Sequence, residues 1–345
     1  MTNQHEITKR MPLLNREGNL TEPGWARGLL WDYHRPDIRA SGMRIKEWDY
    51  YFVSNGHIGL ALTIADNGYM GLDSVSYLDF DEKWEITKSP MRLLPMGKTA
   101  LPETSAAGSS EIARGGYALA FYHDDDGTRK LTFHMDKFRG KDAIEGMISL
   151  SDEPAESMVI ATPFEESGHF YYNQKINCMR ASGWIELGGV RVELDPKTWF
   201  AVLDWGRGVW TYHNTWYWGS ASGEVDGVPF GWNIGYGFGD TRAASENVLF
   251  YGGKIHKLSQ VRFEIPMQDG KEDYLKPWWF SSDDGRFEMA FTPILNRAAY
   301  TSVGVIKSDQ NQVFGRFTGT AALDDGTVLQ VNDFFGFAEK VENKW

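Results

Sequence analysis

The chain has 345 residues, with 35 Lys and Arg against 47 Asp and Glu, a formal net charge of −12. That balance, with no basic cluster, argues against a phosphate-backbone partner, so no nucleic acid is expected. No stretch approaches the roughly 18–20 apolar residues that span a bilayer, and the first ten residues lack a signal-peptide core, so the cytoplasm is the default compartment.

Residues 1–40 carry Pro12, Pro23 and Pro36 among polar residues and read as an N-terminal arm. Beyond the arm, turn chemistry sets the fold class. Asp-Gly or Asn-Gly pairs stand at Asn55–Gly56, Asn67–Gly68, Asp126–Gly127, Asp226–Gly227, Asp269–Gly270, Asp284–Gly285 and Asp325–Gly326. Such pairs accept the positive φ of tight hairpin turns. Alternating apolar residues flank several of them, as in Leu131, Phe133 and Met135, or Phe287, Met289 and Phe291. The stretch 97–116, rich in Gly, Ser and Ala, reads as a loop or disordered insert. Residues 242–250 offer at most a short helix. An all-β, antiparallel chain is expected.

Residues 183–195 (GWIELGGVRVELD) resemble residues 319–333 (GTAALDDGTVLQVND). Each reads as a Gly-led strand, a tight turn, a second strand and a terminal Asp. They stand too far apart for a solenoid. Two tandem β-domains, over 41–200 and 201–345, explain the pattern better.

The densest candidate site lies between Asp204 and Asp240: DWGRGVWTYHNTWYWG, continuing from Gly231 through GWNIGYGFGD. It sets Trp205, Trp210, Trp216, Trp218 and Trp232 among Asp204, Arg207, Tyr212, His213, Asn233 and Asp240. On a strand, Trp216 and Trp218 share a face. Indoles with a few convergent polar groups suit a concave small-molecule site, and an apolar wall raises a neighbouring carboxyl's pKa towards that of a useful general acid. An Arg207 paired directly with Asp204 would instead hold that carboxyl ionised and make it structural, passing the acid role to Glu165 or Asp240. A second cluster, residues 163–173, offers Glu165 and His169 for acid/base work beside Tyr172.

The eight His residues show no HxH or HExxH spacing, and His123 with Asp124–Asp126 reads as a solvated hairpin tip, so no metal is expected. No phosphate loop, dinucleotide fingerprint or GxSxG elbow appears, so no organic cofactor is expected either. The single Cys178 excludes an internal disulfide and reads as a buried or incidental thiol.

Several of these segments resemble the bacterial and fungal domain-of-unknown-function family 2804: Asp204 with Trp-Gly-Arg-Gly, residues 216–219, residues 233–240, Glu246–Asn247 and residues 336–340. Residues 283–288 and 312–315 add to the match. More distantly, Asp204 and the Trp-rich strand after it resemble the lipocalin-like superfamily of carotenoid 1,2-hydratases, tocopherol cyclases and Diels–Alderase-type cyclases. That resemblance implies two tandem lipocalin-like (calycin-type) β-barrels that protonate, hydrate or cyclise apolar substrates without an organic cofactor. It casts Asp204 as general acid and Tyr212 or His213 as proton relay. Trp205, Trp216, Trp218 and Trp232 would wall the cavity and stabilise cationic character. A lyase, hydratase or cyclase-isomerase is therefore the leading expectation. A non-catalytic binder of a lipid-like ligand and a carbohydrate-active enzyme with facing carboxyls are the alternatives.

Overall fold

The computed structural model of the chain describes residues 4–124, 126–303 and 306–344; Asp125, in the 123–126 hairpin tip, lies outside them. Each of the seven Asp-Gly or Asn-Gly pairs joins two consecutive antiparallel strands, and each of their glycines has positive φ, from 67° at Gly285 to 87° at Gly326. The chain is all-β. Among the described residues the one helical element is the 3-10 turn Arg35–Asp37, and no helix is long and apolar enough to cross a membrane.

The strands form two large, curled antiparallel sheets of the lipocalin-like barrel type. The N-terminal sheet runs in spatial order Trp84–Lys88, Met70–Asp79, Ile58–Asp66, Ile45–Ser54, Phe200–Val209, Phe170–Leu187, Asp142–Ser151, Arg129–Arg139, Tyr117–His123 and Gly108–Arg114. The C-terminal sheet runs Lys254–Lys257, Val248–Tyr251, Val228–Tyr236, His213–Val225, Val328–Lys344, Ile306–Ala322, Phe287–Val303, Trp278–Ser282 and Val261–Glu264. The chain passes from one sheet to the other between Val209 and His213. Two expectations change here. Within 97–116, residues Gly108–Arg114 form an edge strand paired with Tyr117–His123, because the Gly115–Gly116 turn folds them back. Residues 242–250 hold no helix; Val248–Tyr251 is a strand that hairpins onto Lys254–Lys257.

The two similar segments are both hairpins, with Gly183–Leu187 paired to Val190–Leu194 and Gly319–Ala322 paired to Val328–Val331. Each sheet fills its own concave side. Leu131, Phe133, Tyr172, Ile176 and Trp205 pack in the N-terminal core, and Phe230, Trp232, Phe287, Phe291 and Phe317 in the C-terminal one. The opposite faces of the central strands meet in a third apolar layer, which includes Tyr50, Phe52, Trp218, Phe314 and Phe337. From residue 4 on, the N-terminal arm ties the halves together. Gly24–Ala26 pairs with Met158–Pro163, Gln4 Nε2 donates to the Leu258 carbonyl at 2.8 Å, and Arg27 Nη1 reaches Glu156 at 2.8 Å and the Ile255 carbonyl at 2.9 Å.

Strand Phe200–Val209 shows how the two-residue period divides labour. Trp205, Arg207 and Val209 point into the N-terminal core; Asp204 points into the seam. The fully buried Arg207 donates to Asp49 Oδ1 at 3.0 Å and to the Trp48 and Pro102 carbonyls at 2.9 and 2.8 Å, and its Nε lies 3.8 Å from Glu47. Glu47 also accepts from Tyr33 Oη at 2.8 Å and from Arg35, so this one guanidinium holds the arm, the 97–107 loop and strand Ile45–Ser54 together. Removing it would leave the buried Asp49 carboxylate without a cation and take one of two guanidinium partners from Glu47. Arg207→Ala is expected to destabilise the protein by about 3–5 kcal/mol in guanidinium denaturation. Arg242→Ala, which breaks only the exposed pair with Asp240, should leave the midpoint where it was.

Candidate functional site

Between the two sheets lies a cavity of about 300 Å3, at the small end of the range for ligand sites. It is built from two facing rows of register partners. Across the N-terminal sheet, Lys175, Asp204, Tyr50, Thr63 and Ser74 stand opposite one another on successive strands. Across the C-terminal sheet the row is Gly235, Trp218, Glu339, Gln312 and Arg297. All but Gly235 line the cavity. The rows face each other in the same sense: Lys175 Nζ lies 4.1 Å from the Trp218 ring centroid, Gln312 Nε2 lies 3.5 Å from Tyr50 Oη, and Arg297 Nη1 donates to Ser76 Oγ at 2.8 Å. The exposed residues Thr87, Ser89, Ala298 and Ala299 mark the mouth at the Arg297 end.

The inner end is polar at its base and aromatic around it. Lys175 Nζ sits 2.9 Å from Asp204 Oδ1 and 3.9 Å from Glu246 Oε2, and Asn173 Nδ2 donates to Asp204 Oδ1 at 2.5 Å. Trp48, Tyr171, Trp210, Trp216 and Phe238 pack edge-to-face or stacked around this end, with centroids 4.9–6.1 Å apart. Such contacts make a rigid apolar wall. Two glycines leave room for it. A Cβ on Gly206 would stand 1.9 Å from the Trp48 indole, and one on Gly235 would stand 2.5 Å from Glu246 Oε1. The ring and the carboxyl occupy those spaces.

Glu246 comes from the loop after residues 228–236 and is aimed by its neighbour. The buried Asn247 accepts from Gly235 N at 2.6 Å and donates to the Ser259 carbonyl at 3.0 Å, pinning the loop. Lys257 Nζ donates to Ser245 Oγ and to the Asn247 and Leu258 carbonyls, and burial lowers its pKa to about 7. Asn233 completes the support: it accepts from Trp218 Nε1 at 2.7 Å and donates to the Glu246 carbonyl at 2.9 Å.

Glu339 differs from the other two carboxyls. Its Oε1 accepts from Trp216 Nε1 at 2.8 Å, and no cation lies within ion-pair distance of it among the described residues. Burial pushes its pKa up to about 6, with the Asp204 charge adding to the rise and Trp216, Arg297 and Lys175 opposing it. Burial, again aided by Asp204, also raises Glu246.

Of the residues singled out in the sequence, Asp204, Trp210, Trp216 and Trp218 line the cavity, and Asn233 supports it from behind. Trp205, Arg207 and Tyr172 face the N-terminal core, where Arg207 makes no pair with Asp204; Lys175 takes that position. Trp232 packs between Phe287, Phe317 and Phe334 in the C-terminal core. The remaining five lie outside the cavity lining. Glu165 sits on an exposed loop, and His169 contacts Glu166 at 3.5 Å and the Ser167 carbonyl at 3.2 Å. Tyr212 and His213 are exposed at the crossover. Arg242 binds Asp240 and holds its carboxyl below the usual range. Burial pushes the Cys178 thiol up to about 12. Among the described residues no three His, Cys, Asp or Glu side chains are grouped as metal ligands.

Lys175, Glu246, Glu339, Gln312 and Arg297 were not singled out as site residues. Glu246, Gln312 and Glu339 do stand inside the motifs quoted above for the family resemblance, whereas Lys175 is one of several polar residues in its strand and carries no such mark.

The chain belongs to the family described as domain of unknown function DUF2804, whose profile matches residues 4–345. Among solved structures it is similar to kievitone hydratase from Nectria haematococca, with a TM-score of 0.54 and 10% identity over 97% of this chain and 98% of the other. It is also similar to a Nitrosomonas europaea protein described as an AttH, with a TM-score of 0.52 and 14% identity over 86% and 92%. CghA, solved with Sch210972, gives 0.44 at 10% identity over 87% and 88%. No curated protein sequence matches at a significant level. The first two of these likenesses show the fold.

A raised carboxyl pKa means that the folded state holds its proton to higher pH than the unfolded chain does. Stability attached to Glu339 is therefore full below about pH 4.5 and is lost as pH rises to about 6. Glu339→Gln keeps an acceptor for Trp216 and removes the charge. It is expected to raise stability at pH 8 by about 2 kcal/mol, with the gain vanishing near pH 4 in urea titrations at the two pH values.

Proposed function

We propose that this protein is an acid/base enzyme that adds or removes water or a proton on a small molecule held between the sheets, as a hydratase, lyase or cyclase-isomerase does. The observation that carries this reading is the unequal treatment of two carboxyls in one aromatic cavity. Asp204 is neutralised by Lys175 at 2.9 Å, whereas Glu339 has only an indole N–H and a pKa of about 6. Carboxyls pushed into different environments are the usual basis for separate acid and base roles, and a group titrating near 6 exchanges protons readily around neutrality.

In this reading Glu339 carries the proton to and from the substrate. Asp204, paired with Lys175 and held by Asn173, is the neighbouring group that orients the lysine. Glu246 shares the lysine and stands ready as the second acid/base group. Trp216 and Trp218 exclude water from one side and stabilise developing positive charge by about 0.5–2 kcal/mol each. The lysine and the carboxylates together bind any polar group at the reacting end. The likeness to kievitone hydratase supports the frame as one that houses water addition; the roles rest on this chain's own side chains.

The test needs no known substrate. A metabolite extract is incubated with the protein in D2O and, separately, in H2 18O, and mass spectra are searched for species that gain label. Wild-type protein is expected to label at least one species, with at least a hundredfold loss of rate in Glu339→Gln and in Asp204→Asn. A rate–pH profile for that species should bend near pH 6 in the wild type and lose that bend in Glu339→Gln. A protein that only binds its ligand would label nothing, and labelling that survives both substitutions would remove these residues from the chemistry.

A further inference from the structure

Among the polar groups towards the mouth, which include Glu85, Thr87 and Ser89, two are left unsatisfied and unused by the acid/base chemistry. Arg297 lines the cavity and spends Nη1 on Ser76 Oγ at 2.8 Å; among the described residues no carboxylate lies within ion-pair distance of it. Its register partner Gln312, on the adjoining strand, is 3% exposed, and its Oε1 has no hydrogen-bond partner. Burying an acceptor without a donor costs free energy that folding alone does not return, and the half-buried Arg297 guanidinium beside it has no counter-ion among the described residues. Both groups face the same cavity, side by side across one rung of the sheet.

We infer that the site takes an amphipathic molecule with an anionic head, such as a carboxylate or sulfonate, bound at Arg297, and an apolar or aromatic body running inward to the Trp216–Trp218 end. This deepens the enzyme reading above and rests on the same cavity. A planar guanidinium meets such a head through paired N–H donors. Gln312 Oε1 accepts from a hydroxyl or N–H on the adjoining part of the molecule. Along the C-terminal row Glu339 stands two strands from Arg297 and Trp218 three, so at about 4.8 Å per strand the head and the reacting end lie about 10–14 Å apart. The geometry also sets the direction of entry. The inner end has three carboxyls against Lys175, so an anion is repelled there and held at the mouth, and the body goes in first.

Two fluorescent probes of nearly the same aromatic shape test this: the anionic 8-anilinonaphthalene-1-sulfonate and the neutral N-phenyl-1-naphthylamine. Titrations into the full chain are expected to give at least tenfold tighter binding of the anion. Arg297→Gln should lose that preference while leaving the neutral probe's affinity unchanged, and Arg297→Lys should restore part of it. Ala298→Trp, which fills the mouth, should block both probes while leaving the unfolding midpoint within 2 °C of the wild type. Equal affinities, a preference that survives Arg297→Gln, binding that survives Ala298→Trp or no binding of either probe would each overturn the proposal. The outcome is separable from the enzyme reading. Isotope labelling lost in Glu339→Gln without an anion preference would leave the chemistry standing and remove the head group. An anion preference without labelling would do the reverse.

Discussion

The seam between the sheets depends on one ion pair. Two curled sheets can bury their concave faces with aromatic and aliphatic side chains alone, and both do so. Bringing their other faces together is harder when strands there carry Lys175 and Asp204, since either charge alone in that seam would be too costly to desolvate. As register partners they neutralise each other at 2.9 Å, and Asn173 and the Trp218 ring complete the surroundings of the pair. With that charge settled, the aromatic layer around it can close and Glu339 can be held in a place where its own charge is poorly tolerated. The raised pKa of Glu339 follows from its burial in that seam, with the Asp204 charge adding to it.

The two-residue period of a strand then does two jobs at once. Along Phe200–Val209, odd-numbered residues carry the Arg207 network that ties the arm and loops to the N-terminal core, and Asp204 on the other face serves the cavity. The same division runs along the strand from His213 to Val225, where Trp216 and Trp218 face the seam and Tyr217 and Ala221 face the C-terminal core. A single substitution in either strand therefore acts on stability or on the site according to its parity. Gly206 shows the tightest form of this coupling, since the absence of a side chain there is what lets the Trp48 indole lie against the strand.

Much of the fold was legible in the sequence because its signals are local. Asn-Gly and Asp-Gly pairs act through their own backbone, and each of the seven marks a hairpin. Alternation at Leu131, Phe133 and Met135 needs only one buried face. The paired hairpins of 183–195 and 319–333 were legible for the same reason. The Gly, Ser and Ala content of 97–116 misled because an edge strand needs only one paired neighbour, and small residues do not prevent that.

The candidate site divides along the same line. By itself the sequence determined that strands carrying Asp204, Trp216 and Trp218 would set an acid among indoles, because alternation places residues on faces. It could not say which face meets which sheet. Trp205 and Trp232 are as aromatic as Trp216 and sit in the two cores, while Lys175, Glu246 and Glu339 come together from a strand of the first sheet, a loop and the last strand of the second. Strand parity turns Arg207 away from Asp204, but only the tertiary structure decided that Lys175 takes its place. Cross-sheet packing is set by long-range register and shape, which leave no periodic mark along the chain, and the protonation of a buried carboxyl is set by what surrounds it in space.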